Sequence, residues 1–333
     1  MSNIEYVQAV PRIRAVENKL LDRAKIQRLL DSTSADEAFK VLQETDYGTL
    51  MAEVKRPEDY EIVLSRELVR LYSFMYEITP EKKLIDIMSI RYDYHNIKVL
   101  LKSKILGKDF KEILIPVGII DVNILTKWIL NENYNDIPKT MKEAIEKSME
   151  VFEEEKDPQK IDVVLDNYMY KDMMMRAKEI NDGYLLKFLK MNIDLTNLKT
   201  LLRVKKQDKS RNFLKEVLLD NGEIKKQEFI EMFNLNVENI VNKLQYTDYT
   251  DVIKVGIEEY TESKNLKVLE KLSDNFIMNF IKDAKYVSFG SEPLIAYIFA
   301  KENEIKIVRI IMVGKLNNID ADVIRERLRD IYV

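Results

Sequence analysis

The sequence predicts an all-α protein, and three observations predict it. Helix breakers are scarce, with 8 Gly and 7 Pro in 333 residues, where an average chain of mixed structure carries roughly 12% of the two together. Apolar side chains recur with the 3.6-residue period of a helix and not with the alternation of a strand. The chain also repeats itself at long intervals, and each copy carries the same helical pattern. Helix is therefore expected over more than about 60% of the chain, with almost no sheet.

The elements follow in order. Tyr60, Val63, Leu64, Leu68, Leu71, Tyr72 and Met75 fall at i, i+3, i+4, i+7 and i+8 spacing and lay one apolar stripe along a helix. A new helix is expected to start at Thr79, whose hydroxyl suits the N-cap, with Pro80 at the first helical position and Glu81 at the positive end of the dipole. It carries Leu84, Ile87, Tyr94, Ile97, Leu101 and Ile105 and should stop at Gly107, a residue that takes the left-handed terminal conformation without steric cost. Similar wheels fit Ile161 to Lys178, Tyr184 to Lys206, Leu266 to Lys285 and Pro293 to Gly314.

The repeats organise these helices. Residues 90–104, IRYDYHNIKVLLKSK, align with residues 191–205, MNIDLTNLKTLLRVK, so that Asp93, Asn96, Lys98 and Leu101 match Asp194, Asn197, Lys199 and Leu202. Downstream, LIPVGII (114–120) matches LLDNGEI (218–224). A weaker third copy, KENEIKIVRIIMVGK (301–315), puts Glu304, Arg309 and Lys315 in the places of Asp93, Lys98 and Lys104. DNYM at 166–169 with AK at 177–178 is echoed by DNFI at 274–277 with AK at 284–285. Three related units of about 100 residues are expected, over 1–125, 126–232 and 233–333, packed about a pseudo-threefold axis with a central depression. The period is too long for tetratricopeptide or armadillo arrays.

Composition narrows the chemistry. The absence of cysteine excludes disulfides, thiolate metal sites and cysteine nucleophiles and suits a reducing compartment. With 53 Lys+Arg against 57 Asp+Glu, the net charge of -4 argues against a duplex binder, which needs a surplus of basic side chains. The start MSNIEYVQAVPRIRAVENK has no basic segment leading into an apolar one, so no signal peptide is expected. The longest apolar runs, Ile113 to Ile120 and Pro293 to Ala300, fall well short of the roughly 20 residues of a membrane span.

Catalytic constellations are missing as well. The Gly314-Lys315 pair is followed by Leu316 and lacks the earlier glycine of a phosphate loop, Arg309 standing in its place. His95 is the one histidine, and zinc would want at least two nitrogen or sulfur ligands; a structural histidine bonded on its helix is the expectation, with a pH-sensitive contact as the alternative. Carboxylate runs such as Glu153 to Glu155 read as solvated helix faces. The repeated Asp-x-x-Asn has two readings. Asp93 or Asp194 caps a helix turn and Asn96 or Asn197 bonds nearby backbone, or Asp93, Asn96, Lys98, Asp194, Asn197, Lys199, Glu304 and Arg309 line the depression and meet a partner.

The segment RYDYHNIKVLLKSK, its second copy NIDLTNLKTLLRVKK and the C-terminal EPLIAYIFAKENEIKIVRIIMVGKLN together resemble the repeated core of the C subunit of archaeal and bacterial V/A-type ATPases, a family related to the d subunit of the vacuolar ATPase. The resemblance covers nearly the whole chain. It implies a three-lobed helical funnel that joins the central shaft, of D- and F-type subunits, to the proteolipid ring in the membrane. It implies no cofactor, no nucleotide, no nucleic acid and no catalytic residue, and a place on the cytoplasmic face of the cell membrane reached through the ring. The third copy departs most, with Ile305 and Ile307 near the expected Asn position. A generic helical adaptor and a carboxylate-based helical enzyme with a divalent metal are the competing readings.

Overall fold

The computed structural model describes residues 6–263 and 265–333. Among them are sixteen α-helices and no β-strand, as the breaker count and periodicity predict. The first four are α1 (Ala9–Glu17), α2 (Arg23–Asp31), α3 (Ala35–Gln43) and α4 (Tyr60–Ile78). Then come α5 (Lys82–Leu106), α6 (Val122–Leu130), α7 (Lys139–Glu155), α8 (Pro158–Ile180), α9 (Gly183–Lys206), α10 (Arg211–Val217), α11 (Lys226–Met232) and α12 (Val237–Leu244). The last four are α13 (Thr250–Ser263), α14 (Lys267–Lys282), α15 (Glu292–Leu316) and α16 (Ala321–Arg327).

The wheels read from the sequence lie within a few residues of α8, α9, α14 and α15, the third of them ending in a single 3-10 turn, Asp283–Tyr286. Gly107 closes α5 as expected, with φ 60° and its N–H bonded to Ser103. The start of α5 is different. Thr79 terminates α4 in an extended conformation, because a residue before proline is driven out of the helical region. Glu81 then takes the N-cap, its carboxylate accepting from the Lys83 N–H.

The chain divides into two compact units. One combines the two ends of the chain, up to Pro80 and from Asp251 onward, and the other runs Glu81–Thr250. In the first, α15 is the central element. It packs against α4, α1, α14, α3 and α16 and buries residues on every side from Pro293 to Ile298, as a helix enclosed by its own domain does, while Lys306, Arg309 and Val313 further on leave one stripe exposed. Leu29, Leu42, Val63, Leu64, Val308 and Ile311 belong to its core. Gly314 lets α16 lie close, because a Cβ there would overlap Ile324. In the second unit, α5 packs on α8 and α6, α8 on α7 and α9, and α9 on α10 and α11. No helix among the described residues is long and apolar enough to cross a membrane.

Ile97 of α5 and Leu201 of α9 are fully buried, whereas Ile62 of α4 is 47% exposed. Truncation of either buried residue to alanine should cost about 2–5 kcal/mol in chemical denaturation. Ile62→Ala should stay within about 0.5 kcal/mol.

Candidate functional site

Backbone N–H and C=O groups of a loop laid against a core must find partners, and in this chain side chains of the long helices supply them. On α5, Asn96 forms a two-way clip with Ile115, its Nδ2 donating to the Ile115 carbonyl at 2.8 Å and its Oδ1 accepting the Ile115 N–H at 2.8 Å. One turn earlier, the Asp93 carboxylate accepts the N–H groups of Ile119 at 2.7 Å and Ile120 at 3.1 Å. His95 bonds the carbonyl of Ile113 through Nε2 at 3.0 Å, so the lone histidine ties the same loop. The loop passes so close that a Cβ on Gly118 would overlap the Asp93 carboxylate.

The same construction recurs on α9. Asn197 clips Leu219 in both directions, at 2.9 and 2.8 Å. Asp194 accepts from Glu223 at 3.1 Å and Ile224 at 3.2 Å, and a Cβ on Gly222 would overlap its carboxylate. Asp93, Asn96, Asp194 and Asn197 are all buried.

The third copy completes its clamp with the other end of the chain. Glu304 of α15 is buried and accepts the N–H of Leu21. In each copy the clamped amide directly precedes an N-cap: Ile120 before Asp121 and α6, Ile224 before Lys225 and α11, Leu21 before Asp22 and α2. Five residues before the clamped amide, where Ile115 and Leu219 need an asparagine, the third copy has Val16, which lies inside α1 and has helical partners. Ile307 therefore replaces the asparagine at no cost in unpaired backbone. The N-terminal segment thus closes the C-terminal copy, although the expected unit boundaries assign it to residues 1–125.

Two tyrosines that local sequence patterns do not single out belong to the clamp. Tyr249 donates to Asp194 Oδ2 at 2.9 Å, and Tyr47 donates to Glu304 Oε1 at 2.9 Å. They end the hexads LQYTDY (244–249) and LQETDY (42–47), identical at five of six positions. That match was available as a signal, but it joins the first fifty residues to the middle of the chain, out of register with consecutive repeats. Thr45 and Thr247 make the same bond within it, each hydroxyl donating to the carbonyl of the leucine three residues earlier.

The electrostatics differ between copies. Burial pushes the Asp93 carboxyl up to about 7, against its two backbone N–H donors. Burial likewise raises Asp194 to about 6, opposed by Tyr249 and the loop amides. In the third copy a buried cation compensates. Lys301 lies 2.7 Å from Glu304 and 3.2 Å from Glu67, all three being buried. Burial alone would lower the Lys301 ammonium, but Glu304 and Glu67 reverse this and its net shift is upward. Arg70, 2.6 Å from Glu67, and the Tyr47 ring, 5.4 Å from the Lys301 ammonium, complete the cluster.

Cations of the repeat pair with carboxylates on neighbouring helices. Lys98 of α5 pairs with Asp166 of α8 at 2.5 Å, and Lys102 one turn on pairs with Asp162. Arg309 of α15, the counterpart of Lys98, pairs through Nε with Glu61 of α4 at 2.6 Å. Lys199 is half-buried on α9. Of the eight residues considered as partner contacts, only Arg309 is exposed. The four Asp and Asn side chains bond the backbone of loops 19 to 30 residues further along the chain, which is neither the local cap nor the nearby backbone of the first reading. Among the described residues, no group of three or more His, Cys, Asp or Glu is placed to hold a metal ion.

The family model of the ATP synthase (C/AC39) subunit matches residues 9–327. The chain belongs to that family. Its relatives include the C subunit of the V-type sodium ATPase of Enterococcus hirae, 29% identical over 99% of both chains. The C subunit of the A-type ATP synthase of Methanocaldococcus jannaschii is 29% identical over 97% of this chain and 85% of its own length. That of Methanosarcina acetivorans is 26% identical over 97% of this chain and 92% of its own. The C/AC39 membership bears out the resemblance carried by the three repeated segments.

Two expectations follow for this C/AC39 chain. Asn96→Ala and Asn197→Ala each strand a loop N–H and C=O, at about 1–3 kcal/mol for each unpaired group, so both variants should unfold at clearly lower denaturant while Lys147→Ala, on an exposed face, does not. The raised carboxyls also set a pH dependence. Asp93 and Asp194 bind protons more tightly folded than at their ordinary value of 3.8, so their contribution to stability is full below that value and is lost as pH rises through about 6 and then about 7. Denaturant titrations from pH 4 to 8 should show this decline, and Asp93→Asn should flatten its upper part; an unchanged slope would count against the assignment.

Proposed function

We propose that the chain is a non-catalytic central-stalk subunit of a rotary V/A-type ATPase, which couples the D- and F-type shaft subunits to the proteolipid ring and transmits torque. The observation that carries this reading is the family match over almost the entire length, with relatives named as the C subunit of V-type and A-type machines. On this reading the ring brings the protein to the cytoplasmic face of the membrane, and ATP is handled elsewhere in the complex.

The three-lobed funnel about a pseudo-threefold axis is part of the same proposal. Lys98 with Asp166 and Arg309 with Glu61 support it. In both pairs, a cation at the same repeat position holds the long helix that precedes the repeat helix of another copy, α8 before α9 and α4 before α5, and a recurring relation of this kind is what cyclic packing requires. A coupler under load needs stiffness, and loops clamped to buried helix positions supply it. The generic adaptor reading keeps the fold and loses the partners.

The test is assembly and coupling together. Affinity purification of the tagged chain from its native membrane should bring down shaft and ring subunits. A complex reconstituted without the chain should hydrolyse ATP without driving ion transport, and adding the chain should restore transport. Recovery of the chain without either group of subunits, or full coupling in its absence, would leave the adaptor reading standing.

A further inference from the structure

Residues 328–333 follow α16 without regular structure and belong to the first compact unit. Among the described residues, no backbone–backbone hydrogen bond holds 329–333; side chains of three helices hold them instead. Asn275 of α14 accepts the Asp330 N–H through Oδ1 at 2.9 Å, and Asn303 of α15 donates through Nδ2 to the Asp330 carbonyl at 3.0 Å. Two asparagines on separate helices thus clip one residue in both directions, as Asn96 and Asn197 each do alone. Arg329 pairs through Nε with Asp274 of α14 at 2.8 Å. Further on, the Tyr332 hydroxyl donates at 2.9 Å to Glu17 of α1, both side chains being buried. Arg14 pairs with Glu17 in turn and donates to the carbonyls of Ala284 and Val287 at 2.7 and 2.8 Å.

Against this segment lies a cavity of about 10 Å³, close to the smallest that admits one water. Ile331, Tyr332 and Val333 line it together with Leu21 and Glu304, the two members of the third clamp. Water admitted there competes for both the Leu21 N–H and the Glu304 carboxylate. We infer that residues 328–333 form a strap that opens as a local unit, and that its seating keeps the Leu21–Glu304 clamp closed. Local opening takes least free energy where backbone bonds are few and a segment is fastened at isolated points. The strap has three such points, the clip on Asp330, the Arg329 pair and the Tyr332 hydroxyl. They lie on α1, α14 and α15, so lifting the strap loosens the junction of the chain's two ends and leaves the clamps on α5 and α9 seated. The device orders two events: the strap opens first, and the clamp follows.

Native-state hydrogen exchange on the full-length chain tests that order and does not depend on the rotary assignment. Tyr332→Phe keeps the buried ring and removes only the hydroxyl. It should accelerate the Asp330 and Leu21 amides together, each by about tenfold, with Ile120 and Ile224 unchanged. Asn275→Ala opens the clip from α14, away from the cavity, and should accelerate Leu21 by a similar factor. Tyr47→Phe weakens the clamp from its other side and should accelerate Leu21 while Asp330 stays slow. Circular dichroism checks that each variant is folded, and the two conservative tyrosine substitutions should be. Faster Asp330 with Leu21 unmoved would make strap and clamp independent elements. Equal acceleration of Ile120 and Ile224 would reduce the effect to general loosening, and faster Asp330 in Tyr47→Phe would remove the order. Each of these three results overturns the inference.

Discussion

A buried carboxylate accepting the backbone N–H groups of a loop is the interaction on which the architecture turns. Long helices are simple to specify, since scarce breakers and an apolar stripe suffice. The loops joining them are harder, because a loop pressed onto a helix bundle carries donors and acceptors that no helix ladder can satisfy. Asp93, Asp194 and Glu304 meet that demand at equivalent points, each holding the amide immediately before the N-cap of the next helix. The clamp thereby fixes where the loop ends and the following helix begins.

The three copies solve one problem with different chemistry. Asp93 and Asp194 need a glycine beside them, Gly118 and Gly222, because a short side chain must be met by backbone at close range. Glu304 is longer by a methylene, and Lys19 stands at the corresponding point of its loop, two residues before Leu21. The longer carboxylate lies among Lys301, Tyr47 and, through Lys301, Glu67. Such a buried network is costly to desolvate and more costly to break than to build, which suits a junction joining the two ends of the chain.

Much of this was legible in the sequence, and the remainder has identifiable physical causes. Helix content, the limits of α8, α9 and α15 and the left-handed stop at Gly107 followed from local rules. The alignment of LIPVGII with LLDNGEI, at a different spacing from the helical match, already held the two clamp loops. Thr79 misled because capping preference and the restriction before proline compete at one residue, and the proline restriction prevailed. The burial of Asp93, Asn96, Asp194 and Asn197 was hidden because polar side chains on a helix usually face water, and burial is a tertiary property that no local pattern reveals. The closing of the third copy by Leu21 and Tyr47 was hidden because repeats are sought in consecutive order along a chain.

The central claim is that three buried carboxylates hold the loop amides that precede three N-caps, the last between residues 283 positions apart in the chain. Native-state hydrogen exchange of the Leu21, Ile120 and Ile224 amides measures it most directly, since an amide held by a buried acceptor exchanges only through larger opening events. All three should be strongly protected, and Glu304→Gln should accelerate Leu21 while leaving Ile120 and Ile224 slow. Rapid exchange at Leu21 in the unaltered chain, or protection there indifferent to Glu304, would contradict it.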